Sequence, residues 1–181
     1  MRSMWLSAFP AAILLTALTS SAARADEGCI DFKWDVSKER ALFSAGAPAA
    51  LTAGTAAGAA PGVLADHSYA LKLAPQSQVH FAAGPGRSPG GDRAAFAGIV
   101  SLSVPETGDY RISLDAPLWI DLVSGATLLS PVDFQGQHSC SPPHKIVVFS
   151  LQRGQRYLLQ LSSGHADGVV VAVTPAPKRQ G

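Results

Sequence analysis

The segment Gln135–Lys145, QGQHSCSPPHK, sets His138 and His144 on either side of Cys140 in a stretch broken by Pro142 and Pro143. Three chemistries compete for it. As a metal site, the two imidazoles would close on iron or zinc with a carboxylate such as Asp133 or Asp121. A two-His, one-carboxylate set suits iron because it leaves open positions for oxygen and substrate. As a nucleophile, Cys140 would pair with one of the histidines, which needs a positive surrounding to lower the thiol pKa. As half of a disulfide, Cys140 would be a staple and nothing more. The spacing matches no zinc signature. The plain alternative leaves His138 and His144 as exposed or hydrogen-bonded loop residues.

A second candidate is LWIDLV. Here Trp119 and Asp121 share one face of a strand, opposite Ile120 and Leu122. With Ile120 and Leu122 in a core, an indole beside a carboxylate would face outward. That pair can hold a sugar ring by stacking and a hydroxyl hydrogen bond. The competing reading puts Trp119 in the core or under a loop. Glu106, Asp109, Asp115, Asp121 and Asp133 are acids near turns, and none forms an identifiable pair for glycoside hydrolysis.

The compartment bears on the cysteine. The chain opens with MRSMWLSAFPAAILLTALTSSAARADEGC. Arg2, the apolar run Ala11–Leu18 and small residues at Ala23 and Ala25 make the pattern of a signal peptide over residues 1–25. The apolar run is shorter than the roughly 20 residues of a membrane span. The expectation is an exported, periplasmic or secreted chain starting at Asp26. Without Arg2 and Arg24, the 14 basic side chains fall to 12 against 13 acidic ones. So balanced a charge offers no bulk attraction for nucleic acid or an anionic membrane. In an oxidising compartment Cys29 and Cys140 are expected to pair. Closing so long a loop is worth roughly 4–5 kcal/mol in the chain-entropy account.

The elements that must position these residues read as follows. Asp35 or Ser37 begins a short helix whose apolar side holds Leu42 and Phe43, with Trp34 as an anchor to the rest; Gly46 and Pro48 end it. Residues 46–62 and 82–98, rich in Ala, Gly and Pro, read as flexible loops, apart from a strand near Ala50–Thr52. The glycines of GPGRSPGG fit no phosphate-binding spacing. YALKLAP, VHFA, GIVSLSVP, GDYRISLD, LWIDLV, KIVVFSL, YLLQLS and VVVAVT alternate apolar with polar or are short apolar runs between turns. That is an all-β domain over residues 26–181, an antiparallel two-sheet sandwich, jelly-roll-like. SVPETGDYRISL and SLQRGQRYLLQL echo each other, as hairpins of one sandwich do.

At VPETGDYRISLDAPLWIDLV and FSLQRGQRYLLQLS the chain is similar to the pre-peptidase C-terminal domain and, more loosely, to carbohydrate-binding sandwiches. The likeness runs from about Gly98 to Thr174. CIDFKWDVSKERALF and DFQGQHSCSPPHKIV resemble a group of small exported alphaproteobacterial proteins. Some of these carry the label homogentisate 1,2-dioxygenase, which implies a cupin-fold, non-haem iron enzyme, although no residue here carries over as an iron ligand. Two functional expectations follow. The first is a non-enzymatic exported binding or accessory protein without a cofactor, its ligand a small molecule, a glycan or an envelope protein. The second is a small metal-dependent dioxygenase.

Overall fold

The computed structural model describes residues 29, 31–46, 48–87, 95–140 and 142–177. The expected signal peptide lies outside them. Helix α1, Ser37–Ser44, precedes the strands. These are β1 (Ala49–Thr52), β2 (Gly62–Leu64), β3 (His67–Lys72), β4 (Ala74–Pro75), β5 (Phe96–Ser103) and β6 (Gly108–Leu114). They continue as β7 (Trp119–Ser124), β8 (Thr127–Leu128), β9 (Asp133–Gly136), β10 (Lys145–Leu151), β11 (Tyr157–Gly164) and β12 (Gly168–Pro175). A first sheet runs β1-β3-β12-β6-β10-β9, and a second runs β2-β5-β11-β7-β8 with β4 against β5.

The alternation in the sequence explains the sandwich. Tyr110, Ile112 and Leu114 of β6, Val147, Phe149 and Leu151 of β10, and Val169, Val171 and Val173 of β12 meet Val100 and Leu102 of β5, Ile120 and Leu122 of β7, and Leu159 and Leu161 of β11 in one core. Phe149 is 1% exposed, and replacing so buried a ring by Ala costs about 3–5 kcal/mol. The echo between the two Tyr-bearing strands has a structural cause. The Tyr110 hydroxyl donates to Glu106 O at 3.0 Å, and the Tyr157 hydroxyl accepts from Gln152 N at 2.8 Å. Each buried tyrosine ties down the turn before its own strand.

Two expectations change. The sheets are mixed: β1 runs parallel to β3 and β2 parallel to β5. A parallel pair needs a long crossover, and here the chain makes it by visiting the opposite sheet rather than through a helix. Residues 46–62 are also not a flexible loop. They hold β1, a 3-10 turn at Ala57–Ala59 and the start of β2, and Gly54 exchanges two backbone hydrogen bonds with Ile99 at 2.8 and 2.9 Å. A Cβ on Gly54 would lie 2.6 Å from Ala59 O. Small residues here mark close packing of backbone on backbone. VHFA forms only a bridge from His80 to Ala56. Of residues 82–98, Phe96–Gly98 belong to β5, and 88–94 lie outside the described residues.

The N-terminal arm covers the outer face of the first sheet. Cys29, Phe32, Val36, Cys140 and Ile146 form a satellite core with half-buried Trp34 packed against it. Asp35 Oδ1 accepts from Ser37 N at 2.8 Å at the start of α1. The buried side chain of α1 is Glu39 rather than an apolar one. Its carboxylate meets Arg111 at 3.3 Å and Thr174 Oγ1 at 2.5 Å. Arg111 also donates to Asp35 O at 2.8 Å, and its guanidinium lies 5.3 Å from the Trp34 ring centre.

Candidate functional site

On β7, Ile120 and Leu122 enter the core and Trp119 and Asp121 take the other face, as the alternation requires. The register pairs Trp119 with Ser162 and Asp121 with Gln160 across β11. Directly opposed residues share a face, so these four make a polar row on the outside of the second sheet. The row is covered. Gln160 Oε1 accepts from Ala82 N at 2.7 Å and Ala83 N at 3.2 Å, and its amide donates to Ala83 O at 3.0 Å. Asp121 accepts from the Trp119 indole N–H at 2.9 Å and from Gly86 N at 3.0 Å. A Cβ on Gly86 would sit 2.9 Å from Asp121 Oδ1, so glycine is what lets the strap 82–87 lie this close. Asp121, 8% exposed, is therefore a clamp that orients the indole rather than a group open to a ligand.

Beside the clamp, at the rim of the sandwich, lies a cleft of about 750 Å³. Its wall includes Arg87 from the strap, Leu118 and Trp119 at the start of β7, His138 and His144 from the β9–β10 connection, Lys145, Ser163 and His165. The sequence offered Trp119 and the histidine pair as separate candidates; the fold brings both to one cavity. Arg87, Lys145, Ser163 and His165 carried no signal of their own in the sequence. Ser163 sits at a left-handed φ of 59°, where the register of β11 against β5 shifts between Leu161 and Gly164. A bulge of this kind re-aims a side chain at a sheet rim.

Cations crowd the indole. Lys145 Nζ lies 4.8 Å from the Trp119 ring centre and the Arg87 guanidinium carbon 5.8 Å. Lys145 Nζ also donates to Leu118 O at 3.2 Å. Burial lowers the Lys145 pKa, nearby Arg87 lowers it further, and Asp121 opposes both. The rings of His138 and His144 meet edge to face with centres 5.2 Å apart. Burial, then His138 and Lys145, lower the His144 pKa against the opposing pull of Asp115.

Cys140 is not a nucleophile. It is bonded to Cys29 with an S–S distance of 2.00 Å and a Cα–Cα distance of 4.7 Å. The bridge joins the N-terminal arm to the connection that carries the two histidines. Asp133, the candidate third metal ligand, is engaged elsewhere: it takes the Lys33 ammonium at 2.5 Å and the Phe134 N–H at 2.9 Å. It stands opposite Val148 on β10, three residues along from Lys145 next to His144. Asp121 is held by Trp119 and Gly86. Among the described residues no three His, Cys, Asp or Glu side chains gather as a metal would require. The donor set does not fit a two-His, one-carboxylate iron site.

No protein family matches this chain in sequence, and no curated protein does. Among solved structures, a β-glucosidase from Kluyveromyces marxianus aligns over 46% of this chain and 11% of that one, at 18% identity and a TM-score of 0.32. The same enzyme in complex with glucose aligns over 55% and 12%, at 19% identity and a TM-score of 0.33. The chain thus spans about a tenth of those enzymes. Among the described residues no helix is long and apolar enough to cross a membrane.

Proposed function

We propose that this is an exported, non-enzymatic binding module whose ligand, a glycan, occupies the cleft at Trp119. One observation carries the reading. A half-buried indole, its N–H already fixed by Asp121, shares a 750 Å³ cleft with the polar residues Arg87, Lys145, His138, His144 and Ser163. A concave wall with one aromatic surface and several converging polar groups is what a saccharide site needs. That volume falls within the range of about 300–1,000 Å³ common to small-molecule sites. The Cys29–Cys140 bridge supports export, because such bonds persist in oxidising compartments.

Calorimetric titration with a panel of neutral and acidic oligosaccharides tests it, on the wild type and on Trp119→Ala. The substitution should weaken binding by about 1–3 kcal/mol, the scale of a lost interface anchor, with the fold intact but the melting temperature lowered, because the buried Asp121 loses the indole N–H. Equal affinity in the two proteins would contradict the reading.

A further inference from the structure

We infer that the cleft selects an acidic saccharide, its carboxylate received between Arg87 and Lys145 beside the Trp119 indole. The inference rests on the glycan reading above and names the class of sugar.

Among the described residues, the ionisable side chains that line the cleft are Arg87, Lys145, His138, His144 and His165, and none of them is an acid. Arg87 and Lys145 both lie within 6 Å of one indole ring centre. The ring attracts cations through its quadrupole, so the indole draws the two charges to the wall along which the sugar ring would lie. Behind the wall, Asp121 has both oxygens engaged, one by the indole N–H and one by Gly86 N. It holds Trp119 and the strap in place and takes no hydrogen bond from Arg87 or Lys145. Asp115, on the side of His144, accepts from Val170 N at 2.8 Å.

The result is a partly desolvated group of like charges. Lys145 is disfavoured as a cation by burial and by Arg87 against the pull of Asp121, and His144 by burial, His138 and Lys145 against the pull of Asp115. An anion placed between Arg87 and Lys145 would relieve that repulsion and meet a planar guanidinium suited to carboxylate. The rest of the ring would lie along Leu118 and Trp119, with Ser163 and the histidines within the same wall to meet hydroxyls. A neutral sugar would leave the repulsion between Arg87 and Lys145 unrelieved.

The experiment is calorimetry on the full processed chain with three probes: tetra-galacturonate, the matched neutral galactose tetramer, and inorganic phosphate. Each is titrated at about 50 and 500 mM salt; exposed charges screen within roughly 8–10 Å at moderate ionic strength. The inference expects tetra-galacturonate to bind at least tenfold more tightly than the neutral tetramer at low salt, with most of that advantage lost at high salt. Arg87→Gln, an exposed position, should weaken tetra-galacturonate about tenfold and the neutral tetramer by far less. Lys145→Gln should do the same, with its melting temperature checked because Lys145 Nζ is tied to Leu118 O. Equal binding of the acidic and neutral tetramers, both weakened by Trp119→Ala, would overturn the acidic-sugar inference and keep the glycan reading. Phosphate binding as tight as the tetramer's would also overturn it, leaving a simple anion site. If neither tetramer binds, the inference falls together with the glycan reading.

Discussion

The two outer faces of this sandwich are both covered by irregular chain, and both are held by buried polar side chains, but they end differently. Over the first sheet, the arm with α1 is locked by Glu39, Arg111 and Thr174. Glu39 is 1% and Arg111 5% exposed, and a disulfide ties the start of the same arm to the β9–β10 connection. Over the second sheet, the strap 82–87 is held by the neutral Gln160 and by Asp121, and its Arg87 lines the cleft at the rim. The difference lies in what each polar group faces. Arg111 is matched by Glu39, whereas Arg87 and Lys145 both lie within 6 Å of the Trp119 ring centre, with no acid among the described residues that line the cleft. The matched pair makes a closed seam; the unmatched cations are the basis of the proposal that a ligand binds at the cleft. Each face also carries one indole, Trp34 over the seam and Trp119 in the cleft.

The largest effect should come from breaking the seam. Arg111→Ala strands the Glu39 carboxylate in the interior, where losing one partner of a buried pair costs about 3–5 kcal/mol. Thermal denaturation should show that loss, and ligand affinity at 25 °C should be unchanged. If stability is intact, the seam is not a lock and the contrast between the faces fails. Next comes the staple. Cys140→Ser should lower stability by roughly 2–4 kcal/mol, and Cys29→Ser/Cys140→Ser by the same amount. Unlike Arg111→Ala, it should also weaken ligand binding, because it frees the connection that carries His138 and His144.

Gln160→Ala is smaller and sharper. It removes the acceptor of Ala82 N and Ala83 N, at about 1–3 kcal/mol for buried groups left unpaired. Chemical denaturation should report that loss, and titration should report weaker binding as the Arg87 strap loosens. A stability loss with unchanged affinity would show that the strap does not shape the cleft.

The smallest effect is a pH slope. The folded pKa of His144 lies below its ordinary value of 6.5, so the unfolded chain takes up this proton more readily. Stability from this group is complete above about pH 6.5 and is lost as pH falls through 6.5 towards the folded value. Asp115 is shifted upward by burial and pulls the other way, starting from its ordinary 3.8 in the carboxylate range. Denaturation curves between pH 5 and 7 should therefore flatten in His144→Asn. An unchanged slope would place the titration elsewhere.

Much of the architecture was legible because alternation reports which side of a strand meets the core. GDYRISL and LWIDLV assign Ile112 and Ile120 inward, and the structure agrees. The cysteine count gave the bridge by the same directness, since two cysteines allow one pairing. Alternation says nothing about what covers the other side. Arg111, Thr174, Asp121 and Gln160 stand at outward positions, where a polar residue reads as solvent-facing, yet each is at least nine-tenths buried under a strap or an arm. The cleft was hidden for a related reason. Trp119 begins a strand of the second sheet, while His138 and His144 belong to a connection of the first. Only the sandwich closure and the bulge at Ser163 bring them to one rim. Residues 46–62 misled because Ala and Gly serve close backbone packing as readily as freedom.

One measurement bears most directly on the claim that the ligand meets the second face. In the chain starting at Asp26 two indoles remain, Trp34 and Trp119, and their N–H resonances are resolved in a two-dimensional ¹⁵N–¹H spectrum. Titration with tetra-galacturonate should shift the Trp119 indole saturably, together with the amides of Ser163 and His144, and leave the Trp34 indole in place. A saturable shift at Trp34 with Trp119 still, or no shift at either, would contradict the account.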